Sequence, residues 1–150
     1  MDYKNILTHL APCGLDCSKC LAFSEGEIKT LSARLKHLLG DFDRYAERFS
    51  KLLPIFSNYP GFKILLSFIA QGDCLGCRRG NCRYPDCGVV QCQKIKTKEL
   101  DFCFQCSEFP CENSHFDPDL KQRWIQMNRR MKEIGVEAYF EETKDVPRYR

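Results

Sequence analysis

The chain has 150 residues, 43% of them hydrophobic and 29% charged, with a formal net charge of +3, which fits a soluble globular protein with one modest core. No run approaches membrane-spanning length, the best being GFKILLSFIA, and the opening MDYKNILTHLAPCG lacks the apolar stretch of a signal peptide. Eleven cysteines are the outlier, and an odd number cannot all pair internally.

The first predicted element is CGLDCSKC, residues 13–20, which spaces Cys13, Cys17 and Cys20 as C-x3-C-x2-C. Next, Ser24-Glu25-Gly26-Glu27 has the form of a capping box and predicts a helix start. Ile28, Leu31, Leu35 and Leu38 recur at spacings of three and four and define one apolar face. Gly40 stops this helix and Asp41 caps the next, or one bent helix runs through Gly40. Phe42, Tyr45, Phe49 and Leu52 keep the same rhythm up to Pro54. After Pro60-Gly61, residues Phe62, Leu65, Leu66 and Ile69 predict a third helix that ends near Gly72. The cysteine-free helical insertion thus spans about residues 24–71.

The second cysteine block has little periodicity and much Gly, Pro, Asp and Asn, so it reads as loops and tight turns. Val89-Val90 and Ile95 read as short strand pieces. A C-terminal helix is expected over about residues 118–134, with Asp117 as N-cap and Pro118 at its first position. Leu120, Trp124, Met127, Met131 and Ile134 line its apolar face, and Gly135 stops it. The charged tail KDVPRYR is expected to be mobile. The fold class is therefore mostly α: one small helical domain over residues 1–150 with cysteine-rich zinc-binding loops.

The second block contains Cys74, Cys77, Cys82, Cys87, Cys92, Cys103, Cys106 and Cys111. Its two C-x2-C pairs, CLGC and CFQC, frame residues 78–102. A C-x2-C turn puts two sulfurs on one side of a tight turn, where backbone N–H groups can stabilise thiolate charge. Two such turns can supply four ligands at about 2.3 Å around a tetrahedral zinc ion. Gly76, before the second cysteine of its pair, suits a turn that needs positive φ. Without an export signal the thiols are expected to stay reduced in the cytoplasm, where clustered cysteines bind metal more often than they pair. All eleven cysteines are therefore candidate metal ligands.

Eleven thiols fill two four-coordinate sites with three left over, and about two zinc ions are the expectation. His115, three residues past Cys111 in CENSH, would be a twelfth ligand, but a surface or capping role suits it better. His9 and His37 carry no ligand signature. Each tetrathiolate site carries about −2, so two would bring the net charge to about −1. Cys13, Cys17 and Cys20 are expected to contribute to a site finished by a distant cysteine, or to include one spectator.

The order CGLDCSKC, DCLGC, single cysteines, FCFQCSEFPC and NRRMKEIGVEAYFEE resembles domain-of-unknown-function family 3795 over about residues 10–142. That family is described as cysteine-rich, with a zinc-binding role ascribed to it and no established reaction. The resemblance falls on Cys13, Cys17, Cys20, Cys74, Cys77, Cys103, Cys106 and Cys111. Cys82, Cys87 and Cys92, at a regular x4 spacing, occupy the middle of its pattern.

Rival readings have weaker support. C-x3-C-x2-C alone suggests a radical enzyme, but that chemistry needs a βα barrel and the following stretch is helical. An iron–sulfur cluster is the alternative cofactor, because iron and zinc both accept four thiolates, although the bacterial ferredoxin run is absent. No H-E-x-x-H stands in the chain, and Asp16 and Asp73 read as turn residues, so no catalysis is expected. Arg78, Arg79, Arg83, Lys94, Lys96, Lys98, Arg129, Arg130 and Lys132 make a nucleic-acid partner the runner-up, not the favoured reading. Those cations have a structural task beside anionic thiolate centres. An unidentified protein partner could meet Tyr84, Phe104 or Phe109, although these rings equally suit packing over a metal. A membrane partner is not expected.

Overall fold

The computed structural model describes residues 1–80, 82–84 and 86–149. Among them helices dominate and β structure is confined to isolated bridge residues, including an antiparallel bridge between Leu10 and Asp16. No helix is long and apolar enough to cross a membrane. The chain divides into two compact units, one made of residues 1–20 and 74–150 and the other of residues 21–73. All eleven cysteines belong to the first unit.

In the first unit, α1 (Tyr3–His9) is capped by Asp2, whose carboxylate accepts from the Asn5 amide at 2.9 Å. The long α7 (Pro118–Ile134) begins as its sequence predicts, with Asp117 accepting from the Leu120 amide at 3.0 Å and Pro118 in the first turn. Gly135, at φ 88°, ends α7 and starts α8 (Val136–Thr143), which the pattern Val136, Tyr139, Phe140 buries. Ile6 and Leu10 from the α1 segment pack with Phe102, Met127, Met131, Val136, Tyr139 and Phe140 as one core cluster. Trp124 carries the other, with Ala11, Val89 and the buried thiols Cys13, Cys17, Cys87 and Cys103. Val89-Val90 and Ile95 are not strands. They lie in two single-turn helices, α5 (Gly88–Gln91) and α6 (Gln93–Lys96), because the cysteine before each opens a tight turn that leaves no room for extended pairing.

The second unit packs α2 (Glu27–Leu39) on α4 (Tyr59–Ala70), with α3 (Asp43–Ser50) and a 3-10 turn at Pro54–Asn58 between them. Its interior is an aromatic cluster. Phe42 meets Phe49, Phe56 and Tyr59 at centroid distances of 5.9, 5.7 and 5.0 Å. Three local expectations change here. Gly26, not Ser24, stands at the N-cap of α2, and no side chain caps it. Phe42 occupies the position before α3, so Asp41 caps nothing. Pro60 and Gly61 lie inside the first turn of α4, where the missing proline N–H costs no hydrogen bond.

Candidate metal centre

The cysteines sit where short helical turns begin. Cys17, Cys77 and Cys103 each open a 3-10 turn (Cys17–Lys19, Cys77–Arg79, Cys103–Gln105), Cys111 directly precedes another (Glu112–Ser114), and Cys87 and Cys92 directly precede α5 and α6. At such a position backbone N–H groups are not yet used by the helix and can turn toward the sulfur. Gly76 N–H donates to Cys74 Sγ and Tyr84 N–H to Cys82 Sγ, each at 3.4 Å. The amides of Leu15, Cys77 and Val90 serve Cys13, Cys17 and Cys87 in the same way. Gly76 takes φ 91°, as its place in the C-x2-C turn predicts.

Turn chemistry holds each loop. Asp16 accepts from Ser18 N at 2.9 Å and from Ser18 Oγ at 2.6 Å, a turn role. Gln105 Oε1 accepts from the Asp101 and Phe102 amides, both at 2.8 Å. The two cysteine blocks are tied directly: Cys103 N–H donates to Pro12 O at 3.0 Å. Asn128, fully buried on α7, joins them again. Its Nδ2 donates to Cys13 O at 2.8 Å, and its Oδ1 accepts from Phe104 N–H at 3.0 Å.

None of the eleven cysteines is joined in a disulfide. They fall into two sets. In the first, Cys17, Cys77, Cys82 and Cys87 form a continuous line of sulfur hydrogen bonds. The Cys87 thiol and the single S–H of Cys77 draw Cys82 well below the ordinary thiol range. Cys17, which competes with Cys82 for that one Cys77 proton, is lowered to about 7 against its burial. Cys77 and Cys87, the donors, are pushed up by those same bonds. Cys13, Cys20 and Cys74 lie within electrostatic reach of this line. Burial pushes Cys13 up to about 11.

In the second set, Cys92, Cys103, Cys106 and Cys111 line one cavity of about 210 Å³, walled also by Phe109 and Trp124. Burial pushes Cys103 up to about 12. The Cys103 sulfur is what lies within reach of the buried Trp124 Nε1, which otherwise has no hydrogen-bond partner. Lys94 Nζ stands 3.5 Å from Cys106 Sγ and pairs with Glu108 at 3.1 Å. Phe109 and Phe116 close over Trp124 edge-on, at 4.9 and 5.8 Å.

Among the described residues, no three Cys, His, Asp or Glu side chains already converge to enclose one ion. The donor chemistry nevertheless suits a soft or borderline cation, because thiolates with backbone N–H donors are its ordinary partners. His115 is exposed, at φ 55°, with Nδ1 3.2 Å from Asp86. His37 is exposed on α2, and the His9 ring lies 5.6 Å from that of Phe140, tilted by 56°.

Sequence reasoning missed Asn128, Trp124 as a sulfur partner, and Arg148. The tail is docked, not mobile: Arg148 donates to Asp16 O and accepts from Arg123, each at 2.6 Å. Tyr149 OH lies 3.7 Å from Cys20 Sγ, and Lys19 Nζ donates to the Thr143 and Val146 carbonyls. Arg148 thereby brings a cation to Cys20, Cys17 and Cys13. Only its spacing from the first block, unreadable in one dimension, makes it relevant. Arg150, the last residue of that tail, lies outside the described residues.

These features define a helical, cysteine-rich protein whose thiols are gathered in one unit and for which metal binding is plausible. The chain belongs to the family described as "Protein of unknown function (DUF3795)", which matches residues 9–116. No curated protein and no solved structure matches it.

Proposed function

We propose that this protein is a zinc-binding module of the cytoplasm. Cys92, Cys103, Cys106 and Cys111 hold one ion, and Cys17, Cys77, Cys82 and Cys87 hold a second. Cys13, Cys20 and Cys74 stay outside both sites. The observation that carries this reading is the cavity of about 210 Å³ with four cysteines in its wall and an orphaned indole N–H beside one of them. A thiolate at Cys103 would give that N–H a charged acceptor. The side chains close onto the ions by rotamer changes.

The zinc is structural. The cysteine loops have almost no helical ladder of their own, and metal binding of roughly 10–16 kcal/mol is the free energy that would hold them. Arg78, Lys94 and Arg130 favour an interaction module over nucleic-acid binding, because each is engaged inside the chain. Arg78 donates to Leu10 O at 3.0 Å and Asp101 O at 2.8 Å, and Arg130 is paired with Glu133 and Glu142. Paired substitutions test the grouping. Cys106→Ser with Cys111→Ser should remove one equivalent of zinc, and Cys77→Ser with Cys82→Ser the other. Loss of both equivalents, or of neither, from each pair would overturn it.

A further inference from the structure

A cavity of about 840 Å³ lies in the first unit beside α1; it shares Ile95 and Leu100 with the wall of the four-cysteine cavity and has Cys17 and Cys77 in its own lining. That volume falls within the range of small-molecule sites, roughly 300–1,000 Å³. Its wall has two characters. Leu7, Leu75, Ile95 and Leu100 supply apolar surface, and Arg79, Lys96 and Lys98 supply cations. Arg78 braces the same wall. Its guanidinium is spent on two backbone carbonyls and stacks 4.9 Å over Phe102, so its charge is fixed in place without a bonded carboxylate.

The acid in the lining is Asp101, and its carboxylate already accepts from Tyr3 OH at 2.9 Å. Among the described residues neither Lys96 nor Lys98 forms an ion pair. Lys98 also takes φ 58°, a conformation that costs a non-glycine residue energy and is kept where surroundings hold it. The other large groove, lined by α7 and α8, is unlike this: its two arginines, Arg123 and Arg130, are outnumbered by Asp117, Asp119 and Glu142.

Two unpaired lysines, Lys96 and Lys98, over an apolar floor select a ligand with an anionic end and an apolar body. We propose that this cavity binds a small amphiphilic anion, a carboxylate or phosphate head on an aliphatic chain, with Lys96 and Lys98 on the head. Cys17 and Cys77 also line this cavity, so it adjoins one of the proposed metal sites, and a variant that changes only the two lysines leaves both cysteines in place and reads the head contacts alone.

Calorimetric titration of the purified protein with decyl phosphate, decanoate, decanol and inorganic phosphate tests it. One decyl phosphate or decanoate per chain is expected to bind at least tenfold more tightly than decanol or inorganic phosphate, and to weaken as salt rises. The Lys96→Glu, Lys98→Asp double variant should lose at least tenfold in that affinity with its melting temperature unchanged. Tighter binding of one charged head than the other identifies the head and supports the site. Equal binding of decanol, or binding insensitive to salt and to the double variant, overturns it.

Discussion

At Asn128 three hydrogen bonds meet in a fully buried position on α7: one from its own helix's geometry, to Trp124 O at 3.0 Å, and one to each cysteine loop. A single amide thus pins the Cys13 loop and the Cys103 turn to one helix. Asn128→Ala would leave Phe104 N–H and Cys13 O without partners in a dry interior. A loss of about 2–4 kcal/mol is expected from chemical denaturation. Asn128→Asp should be nearly as costly, because a carboxylate offers Cys13 O no donor and buries a charge. A change below about 0.5 kcal/mol in both variants would contradict the assigned role. Gly14 belongs to the same junction: at φ 91°, its added Cβ would stand 2.8 Å from Met131 Cε. Neither residue announces itself in the sequence, where Asn128 reads as one more polar residue between methionines.

Helices show where periodicity suffices and where phase escapes it. The spacing of Leu120, Trp124, Met127, Met131 and Ile134 predicts the inward face of α7, and Trp124, Met127 and Met131 are buried there. In α2 the rhythm is as clear, but the face is turned. Leu31, Leu35 and Leu38 are 55, 42 and 72% exposed, while Ile28, Ser32 and Leu39 are half-buried. Period alone does not say which side a neighbouring helix takes, and α4, itself almost wholly apolar, supplies enough contact from another side. Two substitutions separate the cases. Leu38→Lys should change stability by less than about 0.5 kcal/mol, whereas Leu66→Ala, at a buried site on α4, should cost about 2–4 kcal/mol. A large loss at Leu38 would mean that this face is covered. The single-turn helices α5 and α6 escaped for another reason: β-branched Val89, Val90 and Ile95 signal strand, and the preceding cysteines decide the backbone instead.

Over the whole molecule, the cysteines and the helical insertion are separate architectures in one chain. The sequence reads as one domain with a cysteine-free helical stretch inside it, and the structure divides into two compact units, residues 21–73 forming one of them. The pairing of sulfurs was not legible, because contacts such as Cys17 with Cys77, or Cys92 with Cys111 around one cavity, join positions far apart in sequence. Nor was the docking of Arg148 on the first block, which a charged terminal segment does nothing to advertise. If the thiol unit works without the insertion, a chain with residues 21–73 replaced by a short Gly-Ser linker should keep its full metal content. Loss of all metal from that chain would show that the insertion shapes the sites.

Elemental analysis with an absorption spectrum, on protein purified without added metal, reads the sulfur chemistry directly. About two zinc ions per chain and no visible absorbance are the predicted result. Stoichiometric iron with visible charge-transfer bands, or a metal-free protein that folds and melts cooperatively, would contradict it.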